Sequence, residues 1–247
     1  MKLDKRVAVV TGASKGIGRA MALALAEAGA DVVVTARSGT ALDGLAAEIA
    51  DFGRESLVVV ADLGARDSAA NIAAAALDRF GRIDILVNNA AVIHPRIDLA
   101  DFDPDLWREV IEVNLTATAM LTKAVLPSMI ERGAGKIINI SSLGGRRGGR
   151  GRSAYRATKA ALINLTESVA AEVRRHGIDV TCICPGGVDT EGYRNAFASR
   201  GRAQTPTLMD PAEIAELAVF LASDASSAIT GTAIDAFGGT NPLFRGR

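Results

Sequence analysis

One short segment near the start of the chain constrains the fold more than any other. Residues 7–20 read VAVVTGASKGIGRA, a β-rich run followed by a glycine-rich turn and then by residues typical of a helix. Gly12, Gly16 and Gly18 let the backbone approach a pyrophosphate closely, and the N-terminus of the following helix offers free N–H groups to it. The order strand, turn, helix predicts a dinucleotide-binding unit rather than an ordinary tight turn.

Short β-rich runs and helical stretches alternate along the whole chain. The candidate strands are Val7–Val10, Val32–Thr35, Leu57–Val60, Ile83–Val87, Lys136–Ile140, Ile178–Ile183 and Ala233–Asp235. The candidate helices lie near 17–29, 40–52, 66–80, 104–132, 153–175 and 211–222, the last preceded by the capping residues Asp210, Pro211 and Glu213. This alternation predicts an α/β fold of the Rossmann type, with a doubly wound seven-stranded parallel sheet and helices on both faces.

The composition favours a single domain over residues 1–247 and excludes several classes of function. Of the residues, 49% are hydrophobic, and 28 basic residues balance 28 acidic ones. No overall charge therefore attracts the chain to nucleic acid or to an acidic membrane surface. The apolar run before Thr11 is too short for a signal peptide, and we expect no run of the ~18 apolar residues that a membrane span needs. These observations predict a cytoplasmic protein.

The two cysteines and two histidines do not predict a metal site. Cys182 and Cys184 alternate along a candidate strand, which places both on one face as small buried side chains. His94 precedes Pro95 and is expected in an exposed turn, whereas His176 is expected near a helix C-terminus. Residues so far apart in sequence make a poor ligand set, and we predict no metal.

The end of the second candidate strand bears on the choice of dinucleotide. An NAD site usually has a carboxylate there for the ribose 2′-hydroxyl, but this chain has Ala36 and Arg37. Lys15 adds a cation within the glycine-rich turn, and two cations with no nearby acid suit a 2′-phosphate. The sequence thus favours NADP(H). The alternative is that Lys15 and Arg37 are ordinary solvent-facing charges.

Tyr155 and Lys159 are four residues apart in a candidate helix, so their side chains share one face. A nearby ammonium group stabilises a phenolate and lowers the tyrosine pKa, which lets the residue pass a proton at neutral pH. With YRATK at 155–159 and TGASKGIG at 11–18, the chain resembles the short-chain dehydrogenase/reductase family in its single-domain form.

The resemblance extends over almost the whole chain and implies roles for further residues. Asn114 would help to organise a proton-relay water, and Ser142 would hydrogen-bond the substrate oxygen. Tyr155 would be the general acid/base, and Lys159 would lower its pKa and hold the ribose. The residues implied to bind the cofactor are Gly12, Ser14, Lys15, Gly16, Ile17, Gly18, Arg37, Asp62, Leu63, Asn89, Ala90, Tyr155, Lys159, Pro185, Gly186, Val188 and Thr190.

The chain departs from the family pattern in two places. Ala91 follows Asn-Asn-Ala where the family usually has glycine, and its methyl group would be disfavoured if φ there were positive. Near the C-terminus the usual Asp-Gly-Gly is replaced by Phe237-Gly238-Gly239. Neither departure removes a catalytic group.

Residues 144–162, GGRRGGRGRSAYRATKAAL, carry five arginines close to Tyr155. A nucleic-acid arm would more naturally be a disordered tail, whereas this run lies between two catalytic candidates. Two interpretations stay open: a solvated or subunit-interface loop, or the rim of a pocket for an anionic substrate. In the second, Arg150, Arg152 or Arg194 would lie within reach of the substrate's acidic group.

The region of about residues 190–210 is predicted to form a lid over the substrate. It combines Tyr193 and Phe197 with Arg194, Arg200 and Arg202, a mixture that could cover a ligand with an apolar body and an acidic end. The alternative is a surface helix and loop without a role in binding.

These features together predict an NADP(H)-dependent oxidoreductase that transfers a hydride between the nicotinamide and a ketone or secondary alcohol. The alternatives are a non-enzymatic NADP(H)-binding sensor or scaffold of the same fold, and a nucleic-acid-binding protein. A sensor would be expected to lack Ser142, Tyr155 or Lys159, and none is missing. The resemblance also implies a homotetramer or dimer formed through the helices near 104–132 and 153–175.

Overall fold

The computed structural model describes residues 2–197 and 207–242, and a parallel β-sheet lies at its centre. The strands are β1 (Val7–Thr11), β2 (Asp31–Ala36), β3 (Ser56–Val60), β4 (Ile85–Asn88), β5 (Gly135–Ile140), β6 (Ile178–Pro185) and β7 (Thr232–Ala236). They follow the order β3-β2-β1-β4-β5-β6-β7, and all neighbouring strands are parallel. The predicted fold class is confirmed, and each strand lies close to its predicted bounds.

Helices cover both faces of the sheet. They are α1 (Gly16–Glu27), α2 (Gly39–Asp51), α3 (Ser68–Phe80), α4 (Pro104–Ile111), α5 (Ala117–Arg132), α6 (Leu143–Arg146), α7 (Ser153–Val173), α8 (Glu191–Phe197) and α9 (Pro211–Ala222). Ala8 and Val10 of β1 belong to the core formed with α1, α2 and α9. Val7 and Val9 belong to the core formed with α3, α5 and α7. Because both faces are buried, the strand residues are apolar on both sides.

The start of α9 has the predicted capping box. The Asp210 carboxylate accepts a hydrogen bond from Ala212 N at 2.8 Å, and the Glu213 carboxylate accepts one from Asp210 N at 2.8 Å. Pro211 occupies the first turn, where its missing N–H costs no helical hydrogen bond.

The helix predicted near 104–132 is formed by α4 and α5, which are joined by a π-helical turn over Glu112–Thr116. By length and composition alone this helix could cross a membrane, with a mean hydropathy of 1.2 in its most apolar part. We expected no such stretch from the sequence. Within the fold, Leu121, Val125 and Met129 of α5 pack into the core, as in the core helix of an α/β domain.

Candidate active site

The candidate site lies at the carboxyl ends of the central strands. β1 pairs with β2 on one side and with β4 on the other, so the order of the strands reverses at β1. Open α/β sheets bind ligands in the crevice at such a reversal. Two adjoining cavities open here and share Ile17, Asn89, Ala91, Ile93 and Thr190 in their linings.

Most of the predicted site residues line these two cavities. The first, about 510 Å³ in volume, is called here the cofactor cavity; the second, about 440 Å³, is the substrate cavity. The cofactor cavity is lined by Gly12, Ser14, Lys15, Gly16, Ile17, Gly18, Arg37, Asp62, Leu63, Asn89, Ala90 and Thr190. The predicted residues that line the substrate cavity include Ser142, Tyr155, Lys159, Pro185, Gly186 and Val188.

The glycine-rich turn has the geometry that a pyrophosphate site requires. Gly12 and Gly16 have φ of +64° and +58°, in the left-handed region that favours glycine. A Cβ atom on Gly18 would lie 2.3 Å from Gly12 O and 2.4 Å from Asn89 Nδ2. Asn89 Nδ2 in turn donates to Thr11 O at 2.9 Å, which fixes the turn against the end of β4. The bare backbone at the start of α1 therefore fits a dinucleotide.

The two predicted phosphate-binding cations have different surroundings. Lys15 Nζ forms an ion pair with Glu191 Oε1 of α8 at 2.9 Å, and this contact lowers the pKa of Glu191. The prediction that no acid lies near these cations is therefore wrong for Lys15. Arg37 is exposed at the cofactor cavity and forms no ion pair with another described residue. Of the two, Arg37 has its charge available for a ligand.

Tyr155 and Ser142 lie in contact within the substrate cavity. Burial raises the pKa of the Tyr155 phenol, while a hydrogen bond with Ser142 and the charges of Arg152 and Arg156 act in the opposite direction. Ser142 caps α6 and accepts a hydrogen bond from Gly144 N at 3.0 Å. The tyrosine is therefore protonated at neutral pH in this structure.

Lys159 lies on the same face of α7 as Tyr155, as the spacing predicts. Its Nζ atom is 5.7 Å from the centroid of the Tyr155 ring and donates to Ile140 O at 2.7 Å. Burial lowers the pKa of Lys159 to about 8. Burial of the phenol has the largest effect on the Tyr155 pKa and raises it, so the lowering of that pKa by Lys159 that the resemblance implies stays a prediction.

Asn114 lies in the π-helical turn and is fully buried. Its Oδ1 atom accepts from Val92 N at 2.7 Å, and its Nδ2 atom donates to Val92 O at 3.1 Å and to Thr158 Oγ1 at 3.3 Å. The side chain thus joins the segment after β4 to α7. It lines neither cavity, and its role in a proton relay stays a prediction.

The expectation that His94 lies in an exposed turn is wrong. The side chain is 1% exposed and its ring packs edge-on against Phe102, with 4.8 Å between centroids. Nδ1 donates to Pro95 O at 2.6 Å, and Nε2 accepts from Tyr155 N at 3.4 Å. Burial lowers the pKa of His94, so the ring is neutral at pH 7. No local pattern predicts this burial, because it depends on how the segment packs against Phe102 and α7.

Arg152 is a second residue whose position the sequence did not reveal. It is 4% exposed, and its guanidinium donates to His94 O at 2.8 Å and to Ala196 O of α8 at 2.5 Å. Arg152 therefore joins the segment after β4 to α8. One of the two interpretations left open by the sequence has Arg152 facing an anionic substrate, whereas in the structure its guanidinium donates hydrogen bonds to the backbone carbonyls of His94 and Ala196.

Ala91 causes no strain at the family's usual glycine position. Lys5 is the only non-glycine residue with positive φ among those described. Ala91 therefore has an ordinary backbone conformation, and it contributes to the lining of both cavities.

The arginine run is held to the body of the protein by ion pairs. Arg146 binds Asp235 at 2.7 Å, and Arg150 binds Asp98 at 2.7 Å. In the region predicted to form a lid, α8 begins after Thr190 and Arg194 pairs with Asp189, and a lid function stays a prediction. Arg200 and Arg202 lie outside the described residues.

The remaining metal-ligand candidates are placed as follows. Cys182 and Cys184 are free and buried on β6, which confirms their predicted environment. His176 lies in the short turn that follows α7, also as predicted. In residues 2–197 and 207–242 no three histidine, cysteine or acidic side chains are grouped to hold a metal ion.

The fold and the two cavities define a dinucleotide-binding protein of the doubly wound α/β class. The sequence model of the short-chain dehydrogenase family matches residues 6–201. The chain belongs to that family and is an oxidoreductase of the short-chain type.

Three relatives illustrate the range of activities nearby. A 3-oxoacyl-[acyl-carrier-protein] reductase of Synechocystis sp. is 40% identical, with 96% of this chain and 97% of the relative covered. A cis-4-hydroxycyclohexanecarboxylate dehydrogenase of Sinomonas cyclohexanicum is also 40% identical, over 95% of this chain and 96% of the relative. A crystal structure from Beutenbergia cavernae, assigned as an NAD(P)-dependent gluconate 5-dehydrogenase with NADP at low occupancy, has a TM-score of 0.90 and 39% identity, covering 97% and 98%.

Proposed function

We propose that the protein is an NADP(H)-dependent oxidoreductase that interconverts a ketone and a secondary alcohol, with Tyr155 as the general acid/base. The observation that carries the proposal is that Ser142, Tyr155 and Lys159 line one cavity that adjoins the glycine-rich turn. A reaction of this kind needs a proton donor beside the place where the dinucleotide reaches the substrate.

The chemistry follows from the positions of three side chains. NADPH, when bound, supplies the hydride to the carbonyl carbon. The Ser142 hydroxyl holds the carbonyl oxygen by a hydrogen bond. Tyr155, which is protonated at neutral pH, donates its phenolic proton to that oxygen as the alcohol forms. The Lys159 ammonium then stabilises the phenolate that remains, and in the oxidative direction the same groups act in reverse.

The choice of NADP(H) rests on the end of β2. Ala36 and Arg37 stand where an NAD site would have a carboxylate, and Arg37 is exposed without an ion pair to another described residue. An unpaired guanidinium is suited to a phosphate and offers nothing to a ribose hydroxyl that a carboxylate would bind. The NADP in the Beutenbergia cavernae structure is consistent with this choice.

The enzyme interpretation is favoured over a non-enzymatic sensor or scaffold. A sensor has no need of a serine at the start of α6 and a tyrosine and a lysine on α7 that line one cavity, yet all three are present. We further propose a cytoplasmic homotetramer or dimer formed through α5 and α7. Met120 and Ile130 of α5 are 43% and 38% exposed and would be covered by such an interface.

The proposal is tested by replacing Tyr155 with phenylalanine. Tyr155→Phe should lower kcat by about 10²- to 10⁴-fold on a ketone that the wild type reduces, because the proton donor is lost. NADPH binding, followed by its fluorescence, should stay close to that of the wild type. The substrate is first found by screening ketones and secondary alcohols at the NADPH absorbance band.

The only other tyrosine supplies the matched control. Tyr193 lines the same cavity from α8, so Tyr193→Phe removes a hydroxyl from the same surroundings. It should change kcat less than ten-fold. A Tyr155→Phe enzyme with near-normal kcat, or a Tyr193→Phe enzyme that is equally impaired, would contradict the assignment of Tyr155.

A further inference from the structure

The wall of the substrate cavity carries a concentration of positive charge that the proposed chemistry does not use. Its lining includes Arg96, Arg147, Arg150, Arg152, Arg156 and Lys159, and contains no aspartate or glutamate among the described residues. Lys159 serves the reaction, Arg150 is paired with Asp98, and Arg152 binds backbone carbonyls. The charges left to be explained are those of Arg96, Arg147 and Arg156.

These three arginines have no acidic partner within the part of the chain that the structure describes. The acidic groups at the mouth of the site are already paired: Asp98 with Arg150, Asp235 with Arg146, Asp189 with Arg194 and Glu191 with Lys15. Residues 198–206 and 243–247 contain no aspartate or glutamate either. The cations around the mouth of the cavity are therefore paired with acidic residues. The charges of Arg96, Arg147 and Arg156 on the cavity wall have no acidic partner among the described residues.

The glycines of the run are placed so that these arginines can gather. A Cβ atom on Gly149 would lie 2.6 Å from Arg156 Cζ, and one on Gly151 would lie 3.3 Å from Arg96 Cβ. Arg156 Nη1 donates to the carbonyls of Arg147 and Gly148, each at 2.7 Å. Arg156 therefore holds the loop that carries Arg147. Burial lowers the pKa of Arg156, and the charges of Arg147 and Arg96 lower it further, as expected for like charges close together.

The cluster begins beside the reacting group and extends away from it. A Cβ atom on Gly144 would lie 3.3 Å from Arg156 Cγ and 3.6 Å from Tyr155 Cε1, so the stem of Arg156 runs next to the catalytic ring. Arg96 and Arg147 line the same cavity and are exposed, whereas Arg156 is partly buried. A ligand with its carbonyl at Tyr155 would meet these guanidinium groups with its distal end.

We propose that the substrate carries a carboxylate or phosphate, separated from the reacting carbon, which Arg96 and Arg147 bind at the outer end of the substrate cavity. The position of the reacting carbon in this statement rests on the proposed function. Guanidinium groups bind both kinds of anion through paired N–H donors, and binding relieves the repulsion within the cluster. Arg156 is a positioning residue in this arrangement, since it holds the loop.

Binding to the NADP⁺-loaded protein tests the proposal without requiring turnover, because a ketone and NADP⁺ are both oxidised. The probes are two pairs measured by calorimetry: 4-oxocyclohexanecarboxylate with its primary amide, and dihydroxyacetone phosphate with dihydroxyacetone. In at least one pair the anion should bind about ten-fold or more tightly than its neutral partner. The pair with the larger ratio identifies whether a carboxylate or a phosphate is preferred.

The arginine variants then locate the binding site. Arg96→Met and Arg147→Met should each remove about ten-fold of the anion's affinity while leaving that of the neutral partner nearly unchanged. Arg150→Met is the matched control, because Arg150 lies in the same loop but is paired with Asp98. Raising the salt concentration should weaken the anion's advantage, since Arg96 and Arg147 are exposed.

The outcomes separate this proposal from the function itself. It is overturned if neither anion binds more tightly than its neutral partner, or if Arg150→Met loses as much affinity as Arg147→Met. If the anion binds with the expected dependence on Arg96 and Arg147 but no ketone is reduced by NADPH, the anion site stands and the proposed activity fails. If neutral ketones are reduced as well as anionic ones, the activity stands and the anion site fails.

Discussion

Both cavities of the site are bordered by glycine-rich segments, but the structural reason for glycine differs between the two segments. In the cofactor cavity, a side chain on Gly18 would collide with the backbone oxygen of Gly12 at 2.3 Å. In the substrate cavity, a side chain on Gly149 would meet the movable end of Arg156, and one on Gly148 would meet nothing within 4 Å. The first segment packs backbone against backbone, whereas Gly148 and Gly149 of the second leave room for long side chains.

This difference indicates how the two halves recognise their ligands. The cofactor half presents backbone N–H groups and a helix N-terminus, which fit a pyrophosphate of constant shape. The proposed anion site in the substrate half would use arginine side chains, which can adapt to one anionic group but define shape poorly.

The largest expected effect is on the pH dependence of folding stability, and it comes from Lys159 in the substrate half. Lys159 is buried and has a pKa of about 8, below its ordinary value of 10.5, whereas Lys15 is exposed. Between pH 8 and 10.5 the unfolded chain binds more protons than the folded one, so folding stability rises with pH in this window. Below pH 8 both states are protonated and the whole burial penalty is present.

Replacing Lys159 should therefore change the pH dependence of stability. The free energy of unfolding of Lys159→Met relative to the wild type should fall by about 3 kcal/mol from pH 7.5 to above pH 10, because only the wild type gains stability there. Urea unfolding of the cofactor-free protein at several pH values measures this. Parallel curves for Lys159→Met would mean that Lys159 has an ordinary pKa.

A methyl group at the glycine turn should have the next largest effect. Gly18→Ala should lower the free energy of unfolding by about 1–3 kcal/mol and abolish detectable NADPH binding, because the turn must move away from Gly12 O. Thermal unfolding and NADPH fluorescence titration provide the measurements. The matched change in the other half, Gly148→Ala, should leave both unchanged. Similar losses in the two variants would remove the distinction between the two glycine segments.

Arg152 tests whether the substrate half also contains a rigid element. Arg152→Met should lower the free energy of unfolding by about 2 kcal/mol, because buried charge-assisted hydrogen bonds to His94 O and Ala196 O are lost. Hydrogen exchange in α8 should become faster. The exposed Arg150 of the same loop, changed to methionine, should alter neither quantity. Unchanged exchange in Arg152→Met would show that Arg152 does not hold α8.

The smallest expected effect concerns the cations of the cofactor half. Arg37→Leu should weaken NADPH binding about ten-fold while leaving NADH binding nearly unchanged, because a charge-assisted contact to the 2′-phosphate is lost. Lys15→Ser should have a smaller effect on NADPH, since Lys15 is shared with Glu191. Fluorescence titration with both dinucleotides decides the question. Equal losses of NADPH and NADH affinity in Arg37→Leu would show that Arg37 does not read the phosphate.

The parts of the site that the sequence predicted are those with local signals. The turn at Gly12, Gly16 and Gly18 is predicted by the β-rich run before it and the helical residues after it. The four-residue spacing of Tyr155 and Lys159 places both side chains on one face of a single helix. His94 gave no such signal, because its burial depends on Phe102 and on α7. An exposed turn is a fair expectation for a histidine before proline until the neighbouring segments are known.

The sequence by itself determined the α/β class and the glycine-rich turn at Gly12, Gly16 and Gly18, because the succession of strands and helices and the spacing of glycines are local signals. The order of the strands came only from the tertiary structure. Only the tertiary structure decided which arginines of the run are paired within the protein and which are left with an uncompensated charge. Arg146 and Arg150 neutralise Asp235 and Asp98, and Arg152 turns inward to backbone carbonyls. The charge left on the cavity wall depends on which acidic residues come near it. The partners Arg150 and Asp98 are 52 positions apart in sequence and Arg146 and Asp235 are 89 apart, so the fold and not the local sequence sets these pairs.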